Sequence, residues 1–156
     1  MSTPQFKAKW YTSKVISKIE IETSPRKQLI DITSEIEKAL YASKSKEGQV
    51  LVFAKHTTCS VIICEIEDDL EEDFLKYLEK EGPKGPFVHS HGGFYAHDPV
   101  HAGKSHTPAH LLSAMIGCGV TIPISENKLQ LGTWQRICLL ELDGPRKREI
   151  VISFIS

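Results

Sequence analysis

The run Val50-Leu51-Val52-Phe53-Ala54 is apolar on both alternations of a strand. Successive strand side chains point to opposite faces, so neither face of such a strand can be left in water. Strands of this kind are covered on both sides. The cover has to come from a second sheet or from a neighbouring subunit. This run is the clearest of several, and 156 residues suffice for one domain with a core but are short for two. The chain is therefore read as a single domain spanning 1–156.

The remaining punctuation sets the fold class. Residues 14–22 read as a strand, and 5–12 as a further strand before it. Ser24-Pro25-Arg26 is a turn. Residues 33–43 read as a helix, with Ser34 and Glu37 as a capping box and Ile36, Ala39 and Leu40 as its buried face. Residues 49–54 and 58–65 are strands. Residues 66–80 form an acidic helix in which Ile66, Leu70, Phe74 and Leu78 recur every four positions, and Asp68, Asp69, Glu71, Glu72 and Asp73 are a solvated face that suits the positive helix end. Thr107 caps a third helix with Pro108 at its first position, and Gly117 or Gly119 ends it. Strands at 120–124, 129–132, 136–142 and 148–155 follow, with a hairpin turn at Ser125-Glu126-Asn127-Lys128. The C-terminal third reads as an antiparallel meander. Strands joined by short turns, with helices inserted singly, indicate an α+β fold with a largely antiparallel, sandwich-like sheet.

Composition narrows the function classes. Nineteen basic residues against twenty acidic ones give a net charge of −1, which offers no global attraction to nucleic acid or to an anionic membrane. No apolar run approaches the ~20 residues that span a bilayer. The N-terminus carries no signal-peptide apolar segment, so the expected location is the cytoplasm. Cys59, Cys64, Cys118 and Cys138 form no Cys-x-x-Cys pair and sit in apolar surroundings, as small buried hydrophobes do. In a reducing compartment no structural disulfide is expected.

Chemistry concentrates in the histidines. Six of seven, His89, His91, His97, His101, His106 and His110, fall within 22 residues, and the seventh, His56, opens His56-Thr57-Thr58-Cys59-Ser60 at a strand end. Imidazole serves both as a metal ligand and as a proton carrier near neutral pH. Glycines and prolines among the six mark loop, where solvated histidines are common. His110 falls about three residues into its helix, where unpaired N–H groups suit an anion. Asp98 can orient His97 as an acceptor behind it. Three imidazoles around an open position would make a zinc-type site. Arg146, after Asp143-Gly144-Pro145, is either a fork for phosphate or part of a surface basic patch with Lys147 and Arg148.

Taken in order, His56-Thr57-Thr58-x-Ser60, Glu65, His97-Asp98, Pro108-Ala109-His110, Leu131-Gly132-Thr133-Trp134-Gln135 and Asp143-Gly144-Pro145-Arg146 resemble the YjbQ-like family of secondary thiamine-phosphate synthase enzymes. The resemblance covers roughly residues 10–155. It implies a homotrimeric α+β sandwich with a histidine-lined cleft near the subunit interface. It also implies an activity that joins a pyrimidine diphosphate to a thiazole phosphate with loss of pyrophosphate. On this basis His56, His97 and His110 are the expected ligands of a divalent metal of zinc type, and these three with Glu65 are the expected catalytic residues. Arg146, Trp134 and Gln135 are the expected contacts to a phosphorylated small molecule. The chain departs from the family pattern where Cys64 and Ile66, rather than Asn, flank Glu65. It also departs in the longer loop carrying His101, Lys104 and His106. Two other readings fit the same residues: a zinc hydrolase that activates a bound water, and a trimeric ligand- or metal-binding module without turnover.

Overall fold

A computed structural model describes residues 8–12, 16–89 and 106–155 of the chain. In chain order the elements are β1 (Ala8–Thr12), β2 (Ile16–Glu22), β3 (Gln28–Asp31), α1 (Thr33–Ser43), β4 (Gly48–Ala54), β5 (Cys59–Cys64), α2 (Asp68–Glu81), α3 (Thr107–Ile116), β6 (Gly119–Ser125), β7 (Lys128–Leu129), β8 (Arg136–Glu141) and β9 (Lys147–Ile155). Two sheets result. One has six strands in the order β1-β2-β9-β4-β6-β7, the other three in the order β3-β8-β5, and every pairing is antiparallel. No described helix is long and apolar enough to cross a membrane.

The demand for double cover is met most fully at β8. Its inward alternation places Ile137 and Leu139 in the core between the two sheets, with Ile19, Ile21, Val50, Val52, Ile150 and Ile152. Its outward alternation places Cys138 and Leu140 in a second cluster with Leu78 of α2 and Ala109 and Leu112 of α3. The order is thus large sheet, small sheet, helices. Helix α1 closes the inter-sheet core through Ile36, Ala39 and Leu40, the face its periodicity predicts. Strand β4 is covered on one side only: Val50, Val52 and Ala54 are buried while Leu51 and Phe53 stay half-exposed.

Several sequence expectations are corrected. The C-terminal third is not a meander, because β8 joins the small sheet while β6, β7 and β9 belong to the large one. Strand β3 is four residues long, and Gln28-Leu29-Ile30-Asp31 shows no apolar–polar alternation, so the sequence pattern does not announce it. The Ser34–Glu37 capping box is not formed. Ile32 occupies the cap position, Asp31 Oδ1 accepts the Thr33 N–H at 2.8 Å, and Thr33 Oγ1 accepts the Ile137 N–H at 2.8 Å, tying α1 to β8. Thr107 is inside α3, and His106 is its cap residue. On α2, Leu70 is exposed at 43 %, and the packed face is Phe74, Leu75 and Leu78. The strand expected at 129–132 is reduced to Lys128–Leu129. Glu126 and Asn127, with φ of 53° and 59°, make the two-residue turn before it.

The cysteines are free thiols, but Cys64 is only half-buried. Its Sγ lies 3.3 Å from Cys138 Sγ on the neighbouring strand. Burial pushes the Cys59 thiol up to about 12, so it stays protonated and behaves as a small hydrophobe.

Candidate functional site

Glu141 continues the inward alternation of Ile137 and Leu139, so the pleat carries a carboxylate into the space between the sheets, fully buried. Arg148 sits on the matching inward alternation of β9 with Ile150 and Ile152, and is 3 % exposed. An unpaired buried charge is costly, so each requires the other. Arg148 Nε donates to Glu141 Oε2 at 2.6 Å, and Arg148 Nη2 donates to Glu141 Oε1 and to Thr58 Oγ1, the latter at 2.9 Å. Glu141 also accepts the Thr23 hydroxyl at 2.8 Å and the Asp143 N–H at 2.8 Å. Burial works against the Arg148 guanidinium, but Glu141 outweighs it and leaves Arg148 more firmly protonated than usual.

The pair fixes the turn beyond β8. The Asp143 N–H is held by Glu141, and the Arg146 N–H donates to Thr23 Oγ1 at 2.9 Å. Gly144 packs so closely on the preceding chain that a Cβ there would lie 2.0 Å from the Ser24 carbonyl oxygen, so no side chain fits. The turn carries Asp143 and Arg146 side by side, with Arg146 Nη2 donating to Asp143 Oδ2 at 2.8 Å. His106, at the start of α3 and 7 % exposed, sets Nδ1 at 2.8 Å from both Asp143 carboxylate oxygens. Burial alone would raise the Asp143 carboxyl, but hydrogen bonds from Arg146 and His106 more than offset it and hold it below the usual range. Asp143 is therefore ionised, and His106 Nδ1 carries the proton it donates.

These residues line a cleft of about 430 Å³. Lys55, His56, Thr57 and Thr58 come from the link between β4 and β5, His106 and His110 from α3, and Asp143, Arg146, Lys147 and Arg148 from the β8–β9 turn and the start of β9. The lining holds four cations and the carboxylate of Asp143, and each cation is ion-paired: Arg146 with Asp143, Lys55 with Glu149, Lys147 with Glu20 and Arg148 with Glu141. His56 Nε2 accepts the Glu149 backbone N–H at 2.8 Å. A ring nitrogen that accepts an N–H holds no proton of its own, so the neutral His56 carries its proton on Nδ1. Burial, then the Arg148 charge, lowers the His56 pKa from 6.5. The His110 ring meets His89 edge-on, with centroids 5.3 Å apart.

Of the expected site residues, His56, His110 and Arg146 line one cleft. His97, with His91 and His101, lies outside the described residues. Glu65, Trp134 and Gln135 lie elsewhere. Cys59 pairs with Glu141 at the cleft end of the small sheet and Cys64 pairs with Arg136 at the other. At ~3.4 Å per residue, the far end is ~17 Å away. Glu65 follows Cys64 there, and Trp134 and Gln135 precede Arg136. Trp134 is 68 % exposed, and Gln135 Oε1 accepts the Gly132 N–H at 2.8 Å.

One chemical expectation needs correction, and the metal expectation meets only two of its three histidines among the described residues. The N-terminus of α3 offers little to an anion: Pro108 has no N–H, and the N–H groups of Ala109 and His110 both donate to the His106 carbonyl, at 3.0 and 3.2 Å. Among the described residues, no three His, Cys, Asp or Glu side chains are placed to hold a metal ion, and the Nε2 of His56 is occupied by the Glu149 N–H. The described part of the cleft therefore does not fit a zinc centre on its own. Sequence reasoning also gave no role to His106 or Glu141, and its surface basic patch is corrected at Arg148, which is 3 % exposed. Glu141 and Arg148 left a signal, a charge standing on an otherwise apolar alternation. Nothing local pairs residue 106 with residue 143.

The fold and cleft define the class: an α+β protein of two antiparallel sheets, with a basic, imidazole-bearing cleft at one end of the smaller sheet. Residues 17–156 match the family described as UPF0047 protein YjbQ-like. A UPF0047 protein of Archaeoglobus fulgidus is 39 % identical over 134 residues, covering 86 % of this chain and 96 % of that protein. UPF0047 protein MJ1081 of Methanocaldococcus jannaschii is 35 % identical over 145 residues, covering 92 % of this chain and 96 % of its own. A solved structure of a conserved yjbQ/UPF0047 family protein from Clostridium acetobutylicum superposes with a TM-score of 0.76 at 34 % identity, covering 88 % of this chain and 98 % of that one. The chain belongs to the YjbQ-like UPF0047 family.

The lowered His56 pKa predicts a direction for stability. A histidine whose folded pKa lies below its unfolded value of 6.5 contributes stability that is fully present above that value and is lost as pH falls below it. Thermal unfolding from about pH 7 to about pH 5 should show a falling melting temperature in the wild type and a shallower fall in His56→Gln. Equal slopes for the two would show that protonation of His56 is not what weakens the fold.

Proposed function

We propose that the cleft binds a phosphorylated or pyrophosphorylated small molecule and that the protein is an enzyme acting on it. The observation that carries this reading is the convergence of Lys55, Arg146, Lys147 and Arg148 on one cleft, where their carboxylate partners hold them in place. Phosphate oxygens take charge-assisted hydrogen bonds from guanidinium and ammonium groups. Asp143 holds Arg146 by Nη2 through its carboxylate and by Nε through its carbonyl, which leaves the Nη1 hydrogens and the second Nη2 hydrogen as the donors for a phosphate. Loss of pyrophosphate builds negative charge on the departing group, and preorganised positive groups then supply most of the rate gain. A weak thiamine-phosphate synthase reaction, with a pyrimidine diphosphate as donor, has this character. No step of this reading passes through a metal. A hydrolase on zinc would need His97 and the Nδ1 of His56 as ligands.

We also infer a homotrimer. Leu51 and Phe53 of β4 and Val151 of β9, which pairs with Phe53, leave a half-exposed apolar face opposite the core, and a closed ring would cover it. The same closure would let the Glu65, Trp134 and Gln135 end of one copy approach the cleft of the next. Multi-angle light scattering at micromolar concentration should return three times the 17.5 kDa chain mass. A stable monomer would refute this assembly.

The functional test is pyrophosphate titration beside thermal unfolding for wild type and Arg146→Ala. A charge-assisted bidentate contact is worth roughly 1.5–3 kcal/mol, so the dissociation constant should rise by about one to two orders of magnitude. Arg146 is partly exposed, and its ion pair with Asp143 should contribute at most ~1 kcal/mol to stability. Unchanged affinity with a large fall in melting temperature would make Arg146 structural. A phosphate-release assay on diphosphate substrates separates an enzyme from a binding module: turnover supports the first, and tight binding without turnover the second.

A further inference from the structure

Strands β5 and β8 bring two thiols together on the helix-side face of the small sheet. Ile62 pairs with Cys138 and Cys64 with Arg136, so Cys64 and Cys138 are diagonal neighbours on one face, within side-chain reach. Their Sγ atoms lie 3.3 Å apart, and Cys138 Sγ donates to the Arg136 carbonyl at 3.7 Å. A disulfide bond of about 2.05 Å asks each sulfur to close by roughly 0.6 Å. Among the described residues, no three His, Cys, Asp or Glu side chains are placed to hold a metal ion, so the pair is not part of a thiolate metal centre there. Burial separates the two roles. Cys138 is fully buried, while Cys64, the last residue of β5, is half-buried. Hydrogen bonding from Cys138 lowers the pKa of the Cys64 thiol, against burial and the charges of Asp31 and Glu71. The same bond, and then burial, raises that of Cys138.

We propose that Cys64 is an oxidation site that reacts with hydrogen peroxide, and that Cys138 resolves the product into an intrachain disulfide between β5 and β8. The thiolate is the nucleophile. Cys64 sulfur attacks one peroxide oxygen, the O–O bond breaks, and the other oxygen leaves as hydroxide and takes up a proton. Cys64 is then a sulfenic acid. Cys138 sulfur attacks the Cys64 sulfur, the S–O bond breaks as the S–S bond forms, and the leaving hydroxide takes the Cys138 proton. Two thiols and one hydrogen peroxide thus give one disulfide and two waters. The sulfurs lose two electrons and the peroxide oxygens gain them. Burial sets the order, since a reagent reaches Cys64 before Cys138. Because the leaving hydroxide accepts its proton, Cys138 needs no prior ionisation. Exchange with an added dithiol reverses the bond.

The test exposes the reduced, folded protein to hydrogen peroxide, removes the excess with catalase, counts thiols after denaturation and maps the peptides without reduction. The four thiols of the chain should fall to two, with Cys64 and Cys138 joined in one cross-linked peptide, and dithiothreitol should restore all four. In Cys138→Ser the reaction should stop at Cys64 as a sulfenic acid that dimedone traps. In Cys64→Ser the remaining thiols should survive, because Cys138 is fully buried and burial pushes Cys59 up to about 12. The wild-type map needs no variant, so a Cys138→Ser protein that fails to fold does not remove the test. Four thiols left by peroxide that fully oxidises free cysteine overturn the proposal. So does a disulfide through Cys59 or Cys118, or one that joins two chains. Cys64 oxidised beside a reduced Cys138 in the wild type overturns the resolving role.

Discussion

A carboxylate and a guanidinium buried between two sheets set the position of what lines the cleft. Glu141 reaches the interior because it stands on the same alternation as Ile137 and Leu139, and Arg148 because it stands on that of Ile150 and Ile152. One belongs to the small sheet and the other to the large. Their bond is therefore a bridge between layers, and it lies where the inter-sheet core meets the cleft. Replacing such a pair by apolar residues is often neutral or stabilising in other proteins, so its presence here is not explained by stability. It is better explained by position. Thr58, Thr23 and Asp143 each bond to the pair, and through them the β4–β5 link and the β8–β9 turn are held in one arrangement.

From that arrangement the character of the cleft follows. The turn presents Asp143 and Arg146 together because Gly144 lies against Ser24 and the Arg146 N–H is bonded to Thr23. Asp143, kept ionised, selects one tautomer of His106. Glu149, through its backbone, selects the tautomer of His56. The imidazoles are thus differentiated by neighbours that the histidine pattern alone does not reveal. The same geometry weakens the idea of a helix N-terminal anion site, since α3 uses its own early N–H groups on the His106 carbonyl.

How much of this was legible in the sequence depended on whether the signal was local. Helix α1 over Thr33–Ser43 and its buried face were readable from spacing; the double cover that alternation predicts is found at β8, whereas β4, the run that predicts it most plainly, is covered on one side. The helix caps were not, because Asp31 and a backbone contact to β8 replaced the capping box that Ser34 and Glu37 suggested. The division of β8 and β9 between two sheets was invisible for the same reason: adjacent strands in sequence need not pair, and only the long-range register decides. In the site, His56, His110 and Arg146 were named from motifs and share one cleft. Glu65, Trp134 and Gln135 were named with them but stand at the opposite end of the small sheet, since ordered motifs carry no distance. His106 acquires its role from Asp143, 37 positions away.

The central claim is that the Glu141–Arg148 pair exists to hold the cleft rather than to stabilise the fold. The direct measurement is pyrophosphate affinity in the double variant Glu141→Leu, Arg148→Met, with its melting temperature recorded beside it. The account predicts a folded protein of near wild-type stability whose affinity is lower by about tenfold or more, because one lining cation and the anchor of the Asp143 turn are both lost. Affinity equal to that of the wild type in a folded double variant would contradict it.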